Sequence, residues 1–253
     1  MIEGSVTATR QQARVAGWLY LLLALIGPIG LLYVPGQLIV PDNARATADN
    51  LRASGALLRL GIVSDLAHQI VAVFLVLALY RLFRAVNESQ ARLMVVLGAL
   101  VSVPIVFVNA LNDIAALVLV SGAEFLAVFE RPQLDALAYL FLRLHGEGIT
   151  VASIFWGLWL FPFGMLVVRS GFIPRALGVL LIVAGVGYLV SAFARLALPA
   201  YGPLVSQVLS PLMVGKLPII FWLLIWGVKG PGAAAVAAGP SAIGQDAGPT
   251  GTS

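Results

Sequence analysis

Apolar and polar positions fall along this chain in long blocks rather than in short periods. Residues 15–34, 58–83, 93–120, a run between Pro132 and Arg169, and then 173–196 and 204–228 are almost wholly apolar. Each reaches the roughly 20 residues that a helix rising about 1.5 Å per residue needs to cross about 30 Å of hydrocarbon. The pattern predicts an all-α, polytopic membrane protein, a bundle of six transmembrane helices. A charged start, Arg10 and Arg14, precedes the first run. That run is too long for the core of an ordinary signal peptide and lacks a small-residue cleavage site, so it is expected to stay as the first span.

The polar stretches refine this outline. "PGQLIVPDNARATADNLRASG" after the first span predicts a short interfacial helix that starts near Pro41, Asp42 or Asn43, with Ala44, Ala48 and Leu51 on one face. Gly27, Pro28 and Gly30 are expected to bend the first span, a distortion that neighbouring helices tolerate. The fourth run exceeds one bilayer crossing, so it must tilt, kink at Pro162 or begin outside the hydrocarbon. Only "SGFIP" separates it from the fifth, and Pro174 suits the first turn of a new helix. The expected organisation is a cytoplasmic N-terminal segment, 1–14, a six-span domain, 15–228, and a Gly/Ala/Pro-rich tail, 229–253, that cannot bury enough apolar surface to fold alone.

Composition agrees and adds exclusions. The chain is 60% hydrophobic and 10% charged, against roughly 25% charged in soluble domains, and its mean hydropathy is +1.01. With no cysteine there are no disulfides, thiolate nucleophiles or thiolate metal ligands. The net charge of +4 is scattered between spans rather than grouped, so no nucleic-acid partner is expected. Arg10, Arg14, Arg81, Arg84, Arg92, Arg169, Arg175 and Lys229 fall on one side; Arg45, Arg52, Arg59, Arg131 and Arg195 fall on the other. The excess predicts both termini on the cytoplasmic side of a multi-pass membrane protein.

Ionisable side chains within spans are costly and are functional candidates by default. They are Asp65 and His68; Asn109, Asn112 and Asp113; Arg143, His145 and Glu147; and Lys216. Counted from the cytoplasmic basic residue of each span at about 1.5 Å per residue, Asp65, His68, Asn109, Asp113, His145, Glu147 and Lys216 lie roughly 20 to 36 Å away, in the outer half of the bilayer. Random intrusions would scatter. Arg143 and Glu147, four apart, are expected to neutralise each other as a structural ion pair, while His145 points about 200° from Glu147. Lys216 could partner Asp65 or Asp113. His68 and His145, the only histidines, are the candidates for a metal or haem site, although ligands from separate spans have no diagnostic spacing. No cofactor is expected. There is no G-x-S-x-G motif and no P-loop, and Ser64, Ser102 and Ser153 read as backbone-bonded helix serines. Trp156, Trp159, Trp222 and Trp226 read as packing or interface anchors.

The segment "LHGEGITVASIFWGLWLFPFGMLVVRSGFIPRALGVLLIVAGVGYLV" resembles the bacterial membrane family known as domain of unknown function 4386. The similar pieces are His145, Gly146 and Gly148, the Arg169 to Gly178 turn, and Ala184 to Leu189; "GIVSDL" around Asp65 and "NALNDIAALVLVSG" also look like it. The resemblance covers roughly residues 12 to 228. It implies a polytopic membrane protein without an established activity, and it lends Asp65 and His145 the standing of motif residues. His68 has no counterpart in that pattern.

The expectation is a polar pocket in the outer half of the bundle, lined by Asp65, Asn109, Asp113, His145 and Glu147, that binds or transports a small polar ligand or a proton. One alternative is an intramembrane hydrolase or metalloenzyme using His145 with Asp65, Asp113 or Glu147. Another is a structural partner subunit whose polar layer only specifies packing. The bilayer is the expected surrounding partner; oligomeric state is left open.

Overall fold

The computed structural model describes residues 2–228, and every regular element among them is helical. The tail, 229–253, lies outside the described residues. Six helices are long and apolar enough to cross a membrane: Arg10–Leu38, Gly55–Phe83, Glu88–Leu119, Arg131–Ser170, Arg175–Ala197 and Gly202–Ile225, here spans 1 to 6. The chain is an all-α, multi-pass membrane protein. Consecutive spans pack on one another and span 6 returns to span 1, closing the circuit. Large apolar side chains such as Trp18, Leu25, Leu100, Val108 and Phe193 stand exposed on the outside, as a lipid solvent permits.

Four spans lose regular helix ahead of a proline, which removes a backbone donor. A proline has no N–H to bond the carbonyl four residues back and crowds it sterically. Pro35 thus leaves Leu31 without its usual partner. Span 1 responds with a π-helical turn over Ile29–Tyr33, in which the Val34 N–H reaches Ile29 O. In span 4 the helix is interrupted at Trp159, just after Leu158, whose carbonyl lies four residues ahead of Pro162 and lacks its N–H partner. The kink expected at Pro162 therefore opens at its missing hydrogen bond rather than at the proline itself. Span 6, expected to be continuous, is divided by a 3-10 turn, Val214–Lys216, just before Pro218. Span 3 carries a second π-turn, Val96–Val101, ahead of Pro104.

Small residues allow the close approaches. A Cβ on Gly164 would come within 2.6 Å of Gly178 O, and one on Gly157 within 2.9 Å of Gly185 O, so spans 4 and 5 touch backbone to backbone. The interior holds two apolar cores. One gathers Tyr20, Leu79, Phe83, Phe163, Leu166 and Leu223; the other gathers Val34, Leu38, Leu51, Leu58, Ala110 and Leu142.

The short helix Ala44–Ala53 forms as the local sequence predicts. Asn43 caps it by accepting from Ala46 N at 2.9 Å, and Thr47, Ala48 and Leu51 are buried. It is clamped to the start of span 4: Arg52 pairs with buried Asp135, Arg131 with Asp49 at 3.1 Å, and Asp42 N–H donates to the Tyr139 hydroxyl at 2.9 Å. These contacts fix the end of the bundle above the polar layer.

Candidate functional site

Spans 2, 3 and 4 bring Asp65, Asp113 and His145 together beneath that end. His145 stands between the two carboxylates: its Nδ1 is 3.0 Å from Asp113 Oδ2 and its Nε2 is 3.9 Å from Asp65 Oδ2. Asp65 and Asp113 are each only 5% exposed. The first separation is within hydrogen-bonding distance; the second is too long for a hydrogen bond. It is wide enough for a bridging water or ion. One ligating atom from each of the three residues lies within 4.8 Å of the others.

Asn109, one helical turn before Asp113, completes the arrangement. Its Nδ2 donates to His145 O at 2.9 Å, and its Oδ1 accepts from Asn112 Nδ2 at 2.9 Å. Asn109 thus ties the backbone of span 4 at His145 to span 3, while Asn112 supports Asn109. Gly148 makes room for this, because a side chain there would run into the Asn109 carboxamide. Gly30, beside the π-turn of span 1, does the same for Asp65: a Cβ at Gly30 would collide with the carboxylate. Ser64 Oγ donates to Ile26 O at 3.0 Å, satisfying a carbonyl next to the distorted turn. A void of about 20 Å³, lined among others by Gly30, Gly61, Asp65, Asp113 and His145, adjoins the cluster.

Other sequence candidates lie elsewhere. Glu147 and Arg143 are exposed on the outer face of span 4, and no ion pair joins them among the described residues. The expected structural pair is therefore corrected, and Glu147 does not line the pocket. Two causes are evident. The opposite face of the helix is taken by inward-pointing His145, and an acid placed four residues after its base is the weaker orientation of such a pair. Lys216 does not reach Asp65 or Asp113 but donates to the Tyr188 hydroxyl at 2.7 Å. His68 does not join His145: its Nδ1 is bonded to Gln69 Nε2 at 3.0 Å, and with Gln69 it faces a separate central cavity. A two-histidine metal or haem site does not form among the described residues. Gly30 and Tyr188 are contributors that composition and spacing did not single out. Gly30 carried a readable signal, a glycine one helical turn after Gly27, but it pointed only to a bend.

The sequence profile of the family described as Domain of unknown function (DUF4386) matches residues 15–227, and the chain belongs to this family. A protein of Archaeoglobus fulgidus, itself named only "Uncharacterized protein", is 31% identical over 81 residues, 32% of this chain and 47% of that relative. The chain therefore spans about half the length of the curated relative it matches, and that relative is archaeal rather than bacterial. No solved structure matches.

Proposed function

We propose that this DUF4386 protein takes up and releases a proton at the Asp65–His145–Asp113 cluster, as a multi-pass protein of the cytoplasmic membrane with both termini on the cytoplasmic side. The observation that carries the reading is one imidazole held between two buried carboxylates from three different spans. A neutral imidazole that donates from Nδ1 to Asp113 presents a bare Nε2 toward Asp65, so a proton arriving at either can be passed across the gap. The adjoining void, about 20 Å³, suits the passage of a single water or ion, for which roughly 10–15 Å³ suffices, and is too small for an organic substrate. The excess of arginines at the ends of spans that meet the N-terminal side supports the orientation.

A second reading has its own support. Three ligating atoms within 4.8 Å could hold a divalent ion through two carboxylates and one imidazole.

Infrared difference spectra of the purified protein between acid and neutral pH test the first reading. The wild type is expected to show a carboxyl C=O band that disappears in Asp65→Asn or Asp113→Asn. Identical difference spectra in wild type and both variants would refute proton exchange at this cluster. Stoichiometric transition metal in the wild type, lost in His145→Ala, would transfer the site to the metal reading.

A further inference from the structure

Four of the six spans lose regular helical structure around one central cavity. The π-turn of span 1 contributes Leu31 to its wall, the π-turn of span 3 contributes Gly98, the interruption of span 4 contributes Trp159, and the 3-10 turn of span 6 contributes Lys216. Irregular backbone at membrane depth persists where it is buried in protein or lines a cavity. Interrupted helices that meet near the midplane are also how membrane proteins build small-molecule sites. The cavity is about 90 Å³, on the order of six to nine times what one water needs. None of Asp65, Asp113 and His145 borders it.

Its chemistry is one-sided. Lys216 brings a cation into the span, where it donates to the Tyr188 hydroxyl and lies 4.9 Å from the centre of that ring, and among the described residues it forms no ion pair. No carboxylate lines the cavity. Tyr20, on the wall and 1% exposed, has a buried hydroxyl without a hydrogen-bond partner. His68 and Gln69 add further polar atoms, and the remaining wall is aromatic and aliphatic. A half-buried cation without a counter-ion and a buried, unsatisfied hydroxyl each cost stability, and both are completed by one group: an anion that accepts hydrogen bonds.

We propose that this cavity is a binding site for a small organic anion, a carboxylate on a compact apolar body, with the carboxylate on Lys216 and the body against the Trp156 and Trp159 rings. Two sources share this chemistry, a water-soluble monocarboxylate and the carboxylate end of a fatty acid from the bilayer.

Tryptophan fluorescence of the full-length protein in detergent, titrated with benzoate, tests the site directly. Benzyl alcohol, similar in shape but uncharged, is the control. Saturable quenching by benzoate and none by benzyl alcohol at equal concentration is expected, with binding weakened at least about thirtyfold in Lys216→Met. Lys216→Arg, which keeps the charge, should retain part of the affinity. Equal responses to benzoate and benzyl alcohol, or benzoate binding unchanged in a folded Lys216→Met protein, would overturn the proposal. The wild-type comparison decides the matter alone if Lys216→Met does not fold. Laurate in place of benzoate separates the sources: tighter binding by laurate assigns the site to bilayer fatty acids, and weaker binding assigns it to a soluble monocarboxylate.

Discussion

The Asp65–Asp113–His145 cluster and the Lys216 cavity share one bundle and differ in how far the protein has completed their hydrogen bonding. In the cluster nearly every polar group meets another: His145 meets Asp113 and Asn109 meets the His145 carbonyl across spans, and Asn112 meets Asn109 within span 3. The space left over is about 20 Å³. Around Lys216 the space is about 90 Å³, the cation lacks a counter-ion among the described residues, and the Tyr20 hydroxyl is unpartnered. A polar group that the protein satisfies contributes to its stability. One left unsatisfied costs stability until something else binds. The same kind of substitution should therefore have opposite signs in the two regions.

The largest effect is expected at the tight cluster. Gly30→Leu forces a side chain into the space of the Asp65 carboxylate and should destabilise the protein by about 3 kcal/mol, read as a lower unfolding midpoint in detergent. Gly146→Leu is the matched control, since a side chain there meets nothing within 4 Å. Similar losses from the two substitutions would mean that the cluster is not closely packed.

Removing polar atoms separates the regions by sign. Asn109→Leu leaves the Asn112 amide without its partner and cuts the tie to the His145 carbonyl, a loss of about 1–3 kcal/mol. Tyr20→Phe removes a hydroxyl that bonds nothing, and should leave ligand-free stability unchanged or raise it by up to about 1 kcal/mol. Lys216→Met should act in the same direction by about 1 kcal/mol, because an uncompensated charge gives way to an apolar chain of similar length. A loss in Tyr20→Phe equal to that in Asn109→Leu would erase the distinction between the two regions.

The two regions also differ in how legible they were. Asp65, Asn109, Asp113 and His145 meet although the stretches from Arg92 to Asn109 and from His145 to Arg169 contain a π-turn and an interruption, and the spacing of Asn109 and Asp113 puts both on one face. Their shared faces were legible because the local stretches that carry these residues are regular helix. Lys216 sits on a 3-10 turn, and a local change of pitch rotates everything beyond it relative to an ideal 3.6-residue helix. Its partner, Tyr188, could not be reached by projecting a continuous span 6. The cavity has a similar history: four irregular turns build it, and the prolines announce a disturbance without saying which neighbours will face it. The six spans themselves were legible from block length alone, since the bilayer sets that length.

The smallest expected effect concerns the two charges that looked most like a functional pair. Arg143 and Glu147 are exposed, unpaired with each other, and on the face of span 4 opposite His145. Arg143→Gln and Glu147→Gln, singly or together, should change stability by less than about 0.5 kcal/mol, because exposed charges outside a network contribute little. The double variant should equal the sum of the single ones, since side chains that do not interact show no coupling energy. Coupling beyond about 0.5 kcal/mol in such a cycle would mean that the pair forms in the membrane after all. The outer face of span 4 would then carry part of the polar layer that is here assigned wholly to the inner face.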